Sequence, residues 1–83
     1  NEVIGKELET RISNAIESLS PQCQTVFRLS RFENLTYNEI SGKMGISVKT
    51  VENHMIKALK TLRVELKEYL PLILLLLWFK NVN

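Results

Sequence analysis

The sequence predicts an all-α fold, a four-helix domain followed by an apolar C-terminal segment. Three observations point there. Apolar residues recur at spacings of three and four along most of the chain, the period of one helix face. Only three glycines and two prolines occur in 83 residues, too few for turn-rich β architecture. Cap signals (Ser20-Pro21, Thr36 with Glu39, Gly45, Ser47) fall between the periodic runs. With 45% hydrophobic and 24% charged residues, the composition is that of a packed domain and not of a disordered tail. The expected division is residues 1–69 as the domain and residues 70–83 as an apolar tail.

Ile4, Leu8, Ile12, Ala15, Ile16 and Leu19 form one stripe and predict a first helix over Val3–Leu19. Ser20 offers a side-chain acceptor as N-cap, and Pro21 suits the first helical position, where its missing N–H costs nothing. A second helix therefore starts at Pro21, turns Cys23, Val26, Phe27 and Ser30 inward, and ends near Glu33-Asn34. Thr36-Tyr37-Asn38-Glu39 has the form of a capping box and opens a short third helix. Gly45, after Met44, accepts the positive φ that ends a helix sharply. Ser47 is the N-cap of a long fourth helix. Val48, Val51, Met55, Ala58, Leu59, Leu62 and Leu66 carry its rhythm to Tyr69, and Pro71 marks the break.

The segment Tyr37–Ile56 has the spacing of a helix-turn-helix. Ser41 is small where the second helix must cross, Ile40 and Met44 flank it, Gly45 makes the turn, Ile46 plugs the corner and Val51 anchors the second helix. Opposite the Val51, Met55 and Leu62 stripe stand Lys49, Asn53, Ile56, Lys57 and Lys60, with Thr50 and Glu52 on the flanks. These residue types suit a DNA groove. Asn pairs with adenine, Glu accepts from the cytosine amino group, Lys donates to guanine or phosphate, and Thr or Ile meets a thymine methyl. The helix N-terminus at Ser47-Val48-Lys49 offers backbone N–H groups to phosphate.

The run Leu19–Arg63, with its Leu19-Ser20-Pro21 entry, its Glu39-Ile40-Ser41 helix and its Thr50-Val51 to Lys57-Ala58-Leu59 stretch, resembles region four of the extracytoplasmic-function branch of the sigma-seventy family. The resemblance implies binding of the promoter −35 element by the fourth helix as recognition helix, docking on the β flap of RNA polymerase, and a role in directing the polymerase to transcription initiation. It places base and phosphate contacts on Thr50, Glu52, Asn53, Ile56 and Lys57, with a further phosphate contact near Ser30 or Arg31. Where many members have a basic residue after Thr-Val, this chain has Glu52, and Asn53-His54 stands in for an Arg-rich stretch. The expected DNA-binding set is thus Arg31, Ser47, Lys49, Thr50, Glu52, Asn53, Ile56 and Lys57. Two alternatives stay open: the output domain of a response or quorum-sensing regulator, whose recognition helix Thr50-Val51-Glu52-Asn53-His54 also resembles, and a module whose main partner is an anti-sigma factor. Continuation of the fourth helix to Tyr69 favours the sigma reading over the first.

Net charge is +2 but unevenly spread. Glu2, Glu7, Glu9 and Glu17 outnumber Lys6 and Arg11 by two in residues 1–19. In residues 36–83, Lys43, Lys49, Lys57, Lys60, Arg63, Lys67 and Lys80 outnumber Glu39, Glu52, Glu65 and Glu68 by three. A basic second half suits a polyanion. Arg63 and Lys67 lie too far along the helix for a groove and read as solvated surface, and Glu52 is as readily a partner of Lys49 or Lys60 as a base reader. His54 has no second ligand at metal spacing and reads as surface or phosphate contact. No paired-carboxylate, phosphate-loop or metal constellation supports catalysis, and no cofactor is expected. Cys23, the one cysteine, excludes an internal disulfide and reads as an inward structural thiol. It suits a reducing, cytoplasmic setting. A chain that starts at Asn1 without Met or leader is expected to be part of a longer protein.

Leu70–Phe79 is almost wholly apolar. It is shorter than the roughly 20 residues a membrane helix needs, so no span is expected. Left in water it forms a larger patch than monomers usually expose. Completion of the small core is the favoured expectation. A second copy, an anti-sigma factor and the polymerase are the other surfaces on which it would pack.

Overall fold

A computed structural model describes the backbone of residues 2–82 and the side chains of residues 5–78. The described residues form five α-helices and no strand: α1 Glu2–Glu17, α2 Pro21–Arg31, α3 Tyr37–Met44, α4 Val48–Glu65 and α5 Leu70–Val82, with a 3-10 turn at Lys67–Tyr69. The all-α expectation holds. α4 is the central strut and packs against α1, α2 and α3.

Cap chemistry sets the inner boundaries. The Ser20 hydroxyl accepts from the Cys23 amide at 3.4 Å, and Pro21 fills the first position of α2. Thr36 and Glu39 form the full reciprocal box. The Thr36 amide donates to Glu39 Oε1 at 2.8 Å, and the Glu39 amide donates to Thr36 Oγ1 at 3.1 Å. Ser47 accepts from the Thr50 amide at 3.0 Å and opens α4.

The box makes a pH prediction. Its hydrogen bonds to Thr36 hold the Glu39 carboxyl below the ordinary glutamate value. A carboxyl depressed on folding stabilises the native state above its unfolded-state pKa, and that contribution is lost as pH falls through the lower folded-state value. Carboxyl-carbon NMR is expected to show Glu39 titrating at lower pH than glutamates outside such a box. In Glu39→Gln, stability is expected to depend less on pH over that acid window.

Ala15, Ile16, Leu19, Cys23, Val26, Phe27, Leu29, Ile40, Val51, Met55 and Ala58 are buried, with Ile12, Leu35, Tyr37, Met44, Ile46 and Leu62 packed around them. Three expectations need correction. On α2, Leu29 is buried and Ser30 only half so, because α2 packs on both α3 and α4 and its apolar arc widens towards its C-terminal end. On α4, Val48 and Leu59 are exposed. Val48 occupies the first turn, and Leu59 lies one residue, or about 100°, round from buried Ala58. On α1, Leu8 is half-buried, and the Ile4 side chain lies outside the described residues.

The fourth helix also ends earlier than its periodicity predicts, at Glu65 and not Tyr69. Leu66 leaves helical geometry at φ −105° and ψ 12°, although its amide still donates to the Leu62 carbonyl at 2.9 Å. The chain then tightens into the 3-10 turn. Pro71 sits in the first turn of α5, where no N–H is needed, so it marks a helix start as much as a stop. The early end removes the reason that helix length offered for preferring one DNA-binding family over another.

Packing on the core is not what α5 does. Leu70, Leu72 and Ile73 are half-buried, but Leu74, Leu75, Leu76, Leu77 and Trp78 are exposed. The expectation that this segment completes the core is therefore corrected for Leu74–Trp78, and the Phe79 side chain lies outside the described residues. Among the described residues no helix is long and apolar enough to cross a membrane.

Candidate nucleic-acid interface

The helix-turn-helix is α3 and α4 joined at Gly45, which adopts φ 66° and ψ 33°. A Cβ placed on Gly45 would meet nothing within 4 Å, so glycine is required here by conformation and not by space. The Gly45 and Ile46 amides both donate to the Ser41 carbonyl, at 2.9 and 3.2 Å, and close the end of α3. The Ser41 hydroxyl donates to the Ile46 carbonyl. Ser41 thus ties the turn as well as being small. Ile40 and Val51 are fully buried on the two sides of the corner, and Ile46 packs over them.

Burial of Val51, Met55 and Ala58 turns the opposite side of α4 outward. Seven of the eight expected residues belong to Ser47–Lys57. Asn53, Ile56 and Lys57 are exposed along one side, and Ile56 is 65% exposed, unusual for its type. Ser47 is exposed and Thr50 half-buried. Their hydroxyls lie 2.9 Å apart, so both belong to the helix cap. Capping uses the Thr50 amide and, by helix geometry, leaves the Val48 and Lys49 amides without an intrahelical acceptor. Arg31 stands apart on the last turn of α2, exposed.

Glu52 has a local partner. Its Oε2 lies 3.9 Å from Lys49 Nζ, three residues back on the same face. Such exposed pairs contribute only about 0.2–1 kcal/mol, so a competing phosphate can take Lys49 at little cost. Of the two partners expected for Glu52, the structure selects Lys49.

Two contacts on His54 were not foreseen. Its Nε2 lies 2.9 Å from Gln22 Oε1, and its backbone carbonyl accepts from Cys23 Sγ at 3.3 Å. This half-buried side chain faces α2, which gives it a partner beyond the surface or phosphate contact expected of it. Both contacts pin the middle turn of α4 to the first turn of α2. They set the angle at which Asn53 and Lys57, on either side of His54, are presented. No periodic signal reveals a pairing 32 residues apart; only the fold does. Cys23 is fully buried, as expected. Burial pushes its thiol above the usual range, against the opposing pull of the Lys57 ammonium. Among the described residues no cluster of His, Cys, Asp and Glu is arranged to hold a metal ion.

Comparison with known proteins agrees with this geometry. The family described as "Sigma-70, region 4" matches residues 9–62, a stretch that includes most of α1, all of α2 and α3, and α4 as far as Leu62. The chain is also similar to the ferric citrate uptake sigma factor FecI of Escherichia coli (strain K12), 32% identical over 56 residues that cover 65% of this chain. The aligned part spans about a third, 32%, of that relative. A helix-turn-helix with a polar, lysine-bearing outward face and a family match over more than half its length lead to one conclusion: the chain belongs to the sigma-70 region 4 family and is a DNA-binding domain of sigma-factor type.

Proposed function

We propose that this domain binds the −35 element of a promoter through the first three turns of α4, within a sigma factor that directs RNA polymerase to transcription initiation. The observation that carries the reading is the alignment of Asn53, Ile56 and Lys57 on the exposed side of a helix whose other side is buried. That side fits a major groove. Asn53 and Ile56 meet base edges, while Lys57, Lys49 and the Val48 and Lys49 amides take phosphates. Arg31 adds a phosphate contact from α2. Docking on the β flap of the polymerase is part of the same proposal, and an anti-sigma factor would act by covering the α4 face.

The test is promoter-fragment binding at two salt concentrations. Three cationic phosphate contacts, from Arg31, Lys49 and Lys57, predict a fall in affinity of about 40-fold between 50 and 200 mM monovalent salt. Binding that is flat across this range, or equal for a promoter fragment and a scrambled one, would overturn the proposal.

A further inference from the structure

Ile56 is 65% exposed midway along α4, on the side that also carries Asn53 and Lys57. A single exposed isoleucine is ordinary on a protein surface. Its surroundings make this one informative. Asn53 lies three residues before it, Lys57 next to it and Lys60 four residues after it, all exposed, and Leu59, at 38% exposure, adjoins buried Ala58. Ile56 is thus an apolar side chain set among polar ones, not the centre of an apolar cluster such as a protein partner buries.

The other side chains near the start of α4 whose chemistry suits a base edge are engaged locally. Thr50 is half-buried, its hydroxyl lies 2.9 Å from that of Ser47, and its amide donates to the Ser47 hydroxyl at 3.0 Å. Glu52 faces Lys49 at 3.9 Å. Neither Asn53 nor Ile56 has a local role of this kind among the described residues.

On the basis of the −35 reading above, we propose that Ile56 reads the C5-methyl group of a thymine close to the adenine paired by Asn53, so that α4 selects A·T pairs at two nearby positions. The thymine methyl is the apolar group that the major groove presents. Isoleucine has neither donor nor acceptor. Against a base without the methyl it displaces water from a polar edge and returns no hydrogen bond. From Asn53 to Ile56 the helix rises about 4.5 Å, against about 3.4 Å for one base step, which sets the two readings one or two base pairs apart.

The probe is a duplex enriched by the full chain from a randomised library, compared by fluorescence anisotropy with versions that carry uracil for thymine at one position at a time. Uracil keeps the Watson–Crick pair and lacks only the methyl. One such replacement, within about two base pairs of the pair at which Asn53→Ala relaxes discrimination, is expected to weaken binding about 4-fold, the worth of one buried methyl group. In Ile56→Ala the thymine and uracil duplexes are expected to bind alike, with the far-UV circular dichroism of the parent, since an exposed helical position accepts alanine. Any effect of uracil on duplex shape would persist in that variant. Thr50→Ser, which keeps the capping hydroxyl and drops the methyl, is expected to retain the preference for thymine. No uracil effect near the Asn53 position, one that persists in folded Ile56→Ala, or one that disappears in Thr50→Ser would overturn this proposal and leave the −35 reading standing. Failure to enrich any sequence, or equal binding of the enriched duplex and a scrambled one, would overturn both.

Discussion

Ile40→Ala is expected to lower the stability of the domain by about 2–5 kcal/mol, the usual range for truncating a buried isoleucine. Single domains have roughly 0.05–0.15 kcal/mol per residue, which is about 4–12 kcal/mol for a chain of this length. One side chain therefore accounts for a large share of the total. Ile40 is fully buried in the core cluster that also holds Val51, Met55 and Val26, and it belongs to the only helix between the two caps at Thr36 and Gly45. A cavity there removes packing between α3 and α4 at the corner that sets their angle. Met55, also fully buried, is a weaker test, since positions filled by the adaptable methionine side chain tolerate substitution better. Urea unfolding followed by circular dichroism checks the value, with Ile40→Val as the control at about 0.5–1.5 kcal/mol. Equal midpoints for Ile40→Ala and the parent chain would show that the corner is not a packed core.

The helix-turn-helix was readable because its signals are local. Thr36 and Glu39 are three residues apart, Gly45 acts through its own φ, and Ser47 caps an amide three residues on. None of these depends on the rest of the fold. The outward direction of Asn53, Ile56 and Lys57 follows just as directly from the burial of Val51, Met55 and Ala58.

What escaped the sequence depends on distant residues. Leu62 and Leu66 continue the rhythm of α4, so periodicity alone extends the helix, whereas the structure turns at Leu66 and braces the following turn against Arg11 and Glu7 on α1. The Gln22–His54 contact is invisible for the same reason. The apolar run after Pro71 was plain as composition, but its place was not. Hydrophobicity says that a segment must be covered and is silent on what covers it. In this fold Leu74, Leu75, Leu76 and Leu77 of α5 remain exposed.

Asn53→Ala and Lys57→Ala are expected to weaken promoter binding in distinguishable ways. Both side chains are exposed on the same side of α4, four residues and about one turn apart. Asn53 offers an amide that both donates and accepts, which suits bidentate pairing with adenine. Its loss is expected to cost about 1–3 kcal/mol, roughly 5- to 150-fold in affinity, and to relax discrimination at one base pair. Lys57 offers a point charge without an acceptor, so its loss is expected to weaken binding similarly on all sequences and to reduce the salt slope by about 1. Glu52→Ala separates a third role. If Glu52 only partners Lys49, its removal frees a lysine and slightly raises affinity on every sequence; if it reads a cytosine, affinity falls at that base pair alone. Fluorescence-anisotropy titration on a set of single-base-pair promoter variants at two salt concentrations resolves all three patterns. His54→Ala supplies the comparison that assigns them to contact and not to helix placement. Without the Gln22 tether, α4 loses one of the two hydrogen bonds described between it and the first turn of α2, and Asn53 and Lys57 should lose affinity together, with no single base pair singled out. A uniform loss in Asn53→Ala matching that of His54→Ala would mean that Asn53 supports the helix and does not read a base.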